Sequence, residues 1–415
     1  MGASGAGAAA DVVVIGGGPA GAAAAGAARA AGLEVTLYAA GPPARQRAGE
    51  SLPPGTEALV AELFGSAVLN ACRRLPAYGN RSAWGGAALE TTDFMLNPLG
   101  PGAQVNRRAF DAALLAAVRD AGVRVVGAPA PPDAAAPLVV DAAGRRASVA
   151  RARGVPRRRL DRLVAAMWEV GSGDAAPAAE RRAPRDGGAV DKPADSTTTV
   201  EAVRDGWWYT SPLPGGRRIA AFLTDADLLP ARRDRPAPGW WPAAPPPPHI
   251  AALAGDRLAG AHAITDASTA FLDVVAGDGW LATGDAAVSF DPLSSQGVIT
   301  ALEMGREAGR TAAALLGGSG GDPLGDYAER YREVLRVHLA QRGGYYELED
   351  RWPGAPFWAR RGSWNQPSAP GIRNQAGMRA ASMRFPRTLS LPSMNSSGPD
   401  LLPLIRRMKS TGPTV

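Results

Sequence analysis

The chain has 415 residues, 46% apolar and 20% charged, a globular balance that provides for a sizeable buried core. Its net charge of +6 rests on 45 basic residues, of which only Lys192 and Lys409 are lysines, and acids are interspersed among the arginines; no basic stripe with interleaved aromatics marks a nucleic-acid partner. A single cysteine, Cys72, excludes an intrachain disulfide framework or cysteine-rich zinc site, and the glycine-broken start carries neither a signal peptide nor a membrane span, so a cytoplasmic protein with no membrane partner is expected.

Residues 1–10 read as a flexible leader. In the run Asp11–Ile15 the four residues after Asp11 are β-branched and apolar, as a strand covered on both faces requires. A glycine turn, a small-residue helix from Pro19 to Ala31 and a second strand at Val35–Tyr38 complete a βαβ unit. Phe110, Leu114 and Val118 recur at helical spacing, followed by short strands at Val123–Val126 and Leu138–Val140. Residues 171–196 lack periodicity and read as a disordered insertion, and residues 231–248, rich in proline, as a loop. A strand at Trp280–Thr283 precedes helices over Gly297–Leu316 and 323–341; beyond Arg361 the composition is that of a tail.

The chemistry begins at Gly16-Gly17-Gly18-Pro19-Ala20-Gly21, a GxGxxG placed after a strand and opening a helix. In that context Gly16 permits the tight turn, Gly18 admits a pyrophosphate to the backbone, and Gly21 lets the helix lie close on the sheet. Free N–H groups at the helix start then hold phosphates without a basic side chain. The acid that should follow the second strand and bind a ribose is absent, because that position falls at Ala39 or Ala40. Glycines 317–321 follow a helix, so a second nucleotide domain is not expected. Three scattered histidines, His249, His262 and His338, suggest no metal site, and Ser294 and Ser295 lack the histidine and acid of a hydrolase.

Further motifs follow in order: Gly49-Glu50-Ser51-Leu52-Pro53-Pro54, Trp84-Gly85, Arg107 with Phe110-Asp111, Asp141-Ala142-Ala143-Gly144-Arg145, Gly206-Trp207-Trp208-Tyr209, Gly284-Asp285, and Asp291-Pro292-Leu293-Ser294-Ser295-Gln296-Gly297. This ordered set, spanning about residues 11–361, resembles the flavin-dependent monooxygenase and halogenase superfamily with its p-hydroxybenzoate-hydroxylase-like fold, and within it the tryptophan-halogenase-like branch. The resemblance implies an α/β fold in which a three-layer, Rossmann-like FAD-binding domain is interleaved with a mostly antiparallel β substrate domain. The expected boundaries are 11–79, 106–170 and 276–345 for the FAD domain, 80–105 and 197–275 for the substrate domain, and 362–415 for the tail.

It also implies roles. Gly16, Gly18, Pro19, Ala20 and Gly21 would hold FAD phosphates, with Arg107 as a further cofactor contact; an exposed helical arginine is the alternative. Gly284 and Asp285 would form the second FAD motif, Asp285 accepting from ribityl hydroxyls, consistent with an acid at the carboxyl end of a strand; turn capping competes. Pro292, Ser295, Gln296 and Gly297 would shape the loop beside the flavin ring, where a helix N-terminus favours reduced, anionic flavin. Glu50 and Ser51 would pass the flavin edge, although Ser51 suits a turn as well. Trp207, Trp208 and Tyr209 would line the substrate cavity, with plain core packing as the competing role.

The implied activity is monooxygenation, in which a flavin C4a-hydroperoxide hydroxylates an indole, a phenol or peptidyl tryptophan. The expected partners are that aromatic substrate, O2, and either NAD(P)H or a separate flavin reductase, with a homodimer through the closing helices. Halogenation is the alternative within the superfamily, but Lys192 and Lys409 fall in the insertion and the tail, and Trp207-Trp208-Tyr209 replaces the halogenase WxWxIP signature. A degenerate flavin-binding protein with little turnover is a third reading, prompted by Ala39 and the short segment between Val126 and Leu138.

Overall fold

The computed structural model describes residues 10–40, 50–131, 134, 136–171, 196–229, 246–254, 263–318 and 320–362. Most of the expected leader, insertion, proline-rich loop and tail, with Gly49, His262 and both lysines, lie outside these residues. No helix among the described residues is long and apolar enough to cross a membrane.

Val12–Ile15 is apolar on both faces because it is central in a six-stranded sheet. It pairs in parallel with Val35–Tyr38 on one side and Leu138–Asp141 on the other. Arg124–Val126 and Trp280–Ala282 extend the sheet in parallel, and Ala276–Gly277 closes one edge as an antiparallel hairpin with Trp280–Ala282. The four strands ending at Ile15, Tyr38, Asp141 and Ala282 therefore place their carboxyl ends side by side.

The first helix, Pro19–Ala30, is built almost entirely of alanine and glycine, which makes it thin enough for another helix to approach its backbone. The helix Gly297–Leu316 takes that position. A Cβ added at Gly305 would lie 2.3 Å from the Ala20 carbonyl oxygen, and one at Gly309 would lie 2.5 Å from that of Ala24. Two glycines one helical turn apart thus seat the second helix directly on the first.

A seven-stranded sheet forms the other half, in the order Ala263–Asp266, Leu163–Gly171, Arg217–Asp225, Gly206–Leu213, Thr198–Val203, Gly79–Ala83, Glu90–Asp93. All its neighbours are antiparallel except Thr198–Val203 with Gly79–Ala83. The expected domain boundaries need correction here. Leu163–Gly171 belongs to this sheet, paired with Arg217–Asp225, rather than to the parallel one. Gly102–Val105 leaves it to pair with Ser51–Leu52 and Arg74–Ala77, and Ala270–Leu272 leaves it to join Arg157–Arg159 and Val288–Ser289. The helix expected at 323–341 runs on to Glu347, and the short helix Pro356–Gly362 follows. The long helix packs Tyr327 and Tyr331 on the parallel half, and only its end reaches the seven-stranded sheet, where Tyr346 joins Phe357 and Trp358 of the short helix in a core with Leu163, Met167, Trp207 and Leu223.

Candidate cofactor cleft and substrate wall

The glycine turn is held by close backbone contacts. Gly16 has φ +117°, and a Cβ there would come within 2.1 Å of the Ala142 carbonyl oxygen; one at Gly21 would stand 1.8 Å from that of Gly16. Gly18 differs, since a Cβ there meets nothing within 4 Å and so faces open space. It is also the N-cap of the first helix, and no side chain caps that end. Pro19, at N1, has no N–H to satisfy. The remaining first-turn amides are thus presented to the cleft, as an anion site requires.

Gly284 brings the distant motif to the same place. Its φ is +57°, and a Cβ on it would approach Ala20 Cβ to 2.6 Å and Ala301 Cβ to 3.7 Å. Asp285 therefore emerges beside the glycine-turn helix although the motifs are far apart in sequence. Its side chain is 45% exposed, with Arg145 Nε at 3.9 Å. The turn is fixed from behind by Arg157, which donates to the carbonyl oxygens of Ala286 (2.8 Å) and Asp285 (2.9 Å) and to Ser289 Oγ (3.0 Å). A cavity of about 170 Å³ opens next to it, lined by Arg145, Arg157, Arg159, Asp266 and Ala270. Its arginines are engaged: Arg145 donates to Ser268 O and Arg159 to Asp266.

The loop Asp291–Gln296 ends at a second uncapped helix start. Pro292–Ser294 forms a single 3₁₀ turn, Ser295 adopts φ +52°, Gln296 is an N-cap without a side-chain bond, and Gly297 faces open space. Asp291 is the anchor, only 1% exposed. Its Oδ1 accepts from Leu293 N (3.1 Å), and its Oδ2 accepts from Arg342 Nε (3.2 Å) and Tyr346 Oη (2.9 Å). Arg342 also donates to Asp161 Oδ2 at 2.9 Å, so one buried guanidinium ties the loop to the start of Leu163–Gly171. Desolvation raises the Asp161 carboxyl above its ordinary range, and the Arg342 charge opposes that shift.

Arg107 opens the helix Arg107–Asp120, capped by Asn106, whose Oδ1 accepts from Ala109 N. It is 8% exposed, and its Nε and Nη2 donate to Asp111 Oδ1 at 3.3 and 3.2 Å; it is therefore a buried, paired arginine and not a surface one. The segment after Gly49 supplies Glu50, fully buried, whose Oε2 accepts from Tyr209 Oη at 2.9 Å. Ser51 is held by Gln104, which donates to Ser51 Oγ (3.3 Å) and Thr198 Oγ1 (2.9 Å), and Thr198 Oγ1 lies 3.1 Å from Ser211 Oγ.

No family model matches the chain. Among solved structures, the peptidyl tryptophan dihydroxylase QhpG superposes with a TM-score of 0.66 at 24% identity, over 88% of this chain and 81% of that one. The myxobacterial chondrochloren halogenase CndH gives 0.67 at 22%, over 88% and 87%. The chain has the flavin-dependent monooxygenase and halogenase fold. In sequence it is 25% identical over 313 residues to LodB of Marinomonas mediterranea, provisionally described as an FAD-dependent oxidoreductase, covering 69% of this chain and 78% of that protein.

Seen as a member of this fold, the chain departs from expectation at two places. Trp207 and Trp208 occupy opposite faces of their strand. Trp207 joins Trp84, Tyr346 and Trp358, and its Nε1 donates to Tyr346 Oη (3.2 Å), whereas Trp208 stacks between Trp168 and Phe222 under the helix Pro248–Ala254. The two cannot line one cavity. Both are nearly fully buried, so of the expected trio only Tyr209 is partly exposed. Second, Ala39 is buried where the superfamily resemblance calls for an acid, close enough to Gly17 that a Cβ on Gly17 would lie 2.5 Å from its methyl.

Two motifs that the sequence offers without a role acquire one in the fold. Asp141 is fully buried and accepts from the backbone N–H groups of Ala143, Val149 and Ala150, which makes it the organiser of the turn between Leu138–Asp141 and the helix Ser148–Ala152. Burial pushes its carboxyl above the ordinary range while those three donors pull it back. Trp84 Nε1 donates to Tyr345 O, and Gly85 N to Glu349 Oε2, so the Trp84-Gly85 pair is clamped by the end of the long helix.

Proposed function

We propose that the chain is an FAD-dependent oxidoreductase, a monooxygenase that hydroxylates an aromatic substrate such as an indole, a phenol or peptidyl tryptophan. One observation carries the reading. Gly284 seats on Ala20 and beside Ala301, which brings the Asp285 turn against the first turns of two helices whose starts no side chain caps. The residues fit a flavin dinucleotide: Gly18 leaves open space for a diphosphate, a half-exposed carboxylate suits sugar-alcohol hydroxyls, and Gly297 leaves room for a ring.

Bound FAD would supply the redox and oxygen chemistry. The protein's part is position and dryness. First-turn amides of Pro19–Ala30 would neutralise phosphate charge, and those of Gly297–Leu316 would offer a positive helix end to anionic flavin. The loop that carries them is held rigid by the Asp291, Arg342 and Tyr346 contacts. Trp84, Leu293 and Tyr209 border the aromatic core and offer an apolar wall for a flat ring. NAD(P)H or a separate reductase would provide electrons.

Halogenation is the second reading, favoured by the fold shared with CndH. No lysine stands among the described residues. The test is incubation of the FAD-reconstituted protein with O2, chloride and NADH, NADPH or a flavin reductase, against indoles, phenols and tryptophan peptides, read by mass. A product heavier by one or two oxygen atoms is expected. A chlorinated product establishes the second reading, and no product with any electron source refutes both.

A further inference from the structure

Tyr209 lies on Gly206–Leu213, pointing to the same face as Trp207 and Ser211, and its ring borders the core to which Leu293 of the flavin-side loop also packs. Its hydroxyl donates to Glu50 Oε2 at 2.9 Å. A phenol has one proton and two acceptor positions, and a carboxylate accepts without donating, so the direction of this bond is settled by its partners. Burial and the neighbouring Glu50 charge hold the Tyr209 proton on its oxygen well above the ordinary range of a phenol. Glu50 itself is fixed, because the adjoining Ser51 is bonded by Gln104, which reaches across to Thr198 and through it to Ser211. The remaining lone pairs of Tyr209 therefore offer a ligand an acceptor and never a donor.

We infer that Tyr209, its proton committed to Glu50, is the acceptor that selects aromatic substrates bearing a ring N–H or O–H. This rests on the monooxygenase reading and specifies its substrate class. The negative charge of Glu50 polarises the Tyr209 oxygen through the shared proton and strengthens the bond it accepts. A ring without a donor would bury that oxygen unpaired, which is how sites built for a polar hydrogen discriminate by large factors.

The test is binding by calorimetry to the oxidised, FAD-reconstituted protein without reductant, comparing 3-methylindole with 3-methylbenzothiophene, of nearly the same shape but lacking the N–H. Wild type is expected to prefer 3-methylindole by about tenfold, the equivalent of one neutral hydrogen bond at the upper end of its range. Tyr209→Phe should bring the two affinities within about twofold, and Glu50→Gln, whose amide can donate to Tyr209 and release its proton, should narrow the gap as well. Flavin content and circular dichroism report folding; were Tyr209→Phe misfolded, the wild-type preference and Glu50→Gln still decide. Equal affinities in wild type, no binding of either ring, or a gap that survives both substitutions overturns the inference. A parallel turnover arm with a reductase separates the two readings: preference without oxygenated product removes the monooxygenase and keeps the acceptor, whereas product without preference removes the acceptor alone.

Discussion

Gly26 and Gly305 both sit inside helices, and alanine at either position gains the same intrinsic helix propensity, about 0.8–1.0 kcal/mol. The surroundings give the two substitutions opposite signs. A Cβ at Gly26 meets Val118 Cγ1 at 3.5 Å and Phe64 Cε1 at 3.8 Å, ordinary contacts, so Gly26→Ala should stabilise by roughly 1 kcal/mol. A Cβ at Gly305 meets the Ala20 carbonyl oxygen at 2.3 Å and Ala23 Cβ at 2.9 Å. The obstruction is helix backbone, which cannot rotate aside, so the helices must part by about 1 Å to restore normal contact. Overpacking of that kind costs about 1–3 kcal/mol, and the rigid obstacle puts Gly305 near the top of the range; net of propensity, Gly305→Ala should destabilise by about 2 kcal/mol. Urea unfolding of both variants at fixed FAD concentration measures this, and FAD affinity should fall with Gly305→Ala alone, because the separation acts on both uncapped helix starts. A Gly305→Ala protein at least as stable as wild type would refute the proposed seating of one helix on the other.

Asp285→Ala should weaken FAD binding by about 10- to 100-fold, the loss of charge-assisted bonds worth about 1.5–3 kcal/mol, and leave the urea midpoint of the apoprotein unchanged; fluorescence titration of apoprotein reads both. His338, buried against Phe290, is held by desolvation at a pKa of about 4, against 6.5 when unfolded. Because the unfolded chain then binds more protons, stability falls as pH drops through that window, by about 2 kcal/mol between pH 8 and pH 5; in His338→Phe that part of the acid sensitivity should vanish from urea midpoints. Tyr346→Phe removes the hydroxyl that donates to Asp291 and accepts from Trp207, and should cost about 2–3 kcal/mol in the same assay.

Local chemistry announced the parallel half of this fold. The glycine turn, the β-branched strands and the helix Gly297–Leu316 were legible because covered strands and tight turns restrict residue types over a few positions. Sheet membership was not legible in the same way. Leu163–Gly171 looks like any buried strand, and its place was decided by pairing with Arg217–Asp225, some fifty residues on. The Trp207/Trp208 split was written in the two-residue period of a strand, a signal that cluster-based reading of three aromatics passed over. The ties around Asp291 had no local signature at all, since Asp161, Arg342 and Tyr346 are individually unremarkable charges and rings until the chain folds them together.

The anchoring of Asp291 has a temporal side. Its partners Arg342 and Tyr346, and the clamp on Trp84-Gly85 by Tyr345 and Glu349, all come from a stretch synthesised after the rest of the cleft. A nascent chain that has emerged only as far as Leu316 already contains every glycine of both motifs, yet its loop carboxylate has nowhere to settle. Ribosome-bound intermediates of increasing length should consequently acquire protease resistance in the 80s and 290s together, and only once Glu349 has left the exit tunnel.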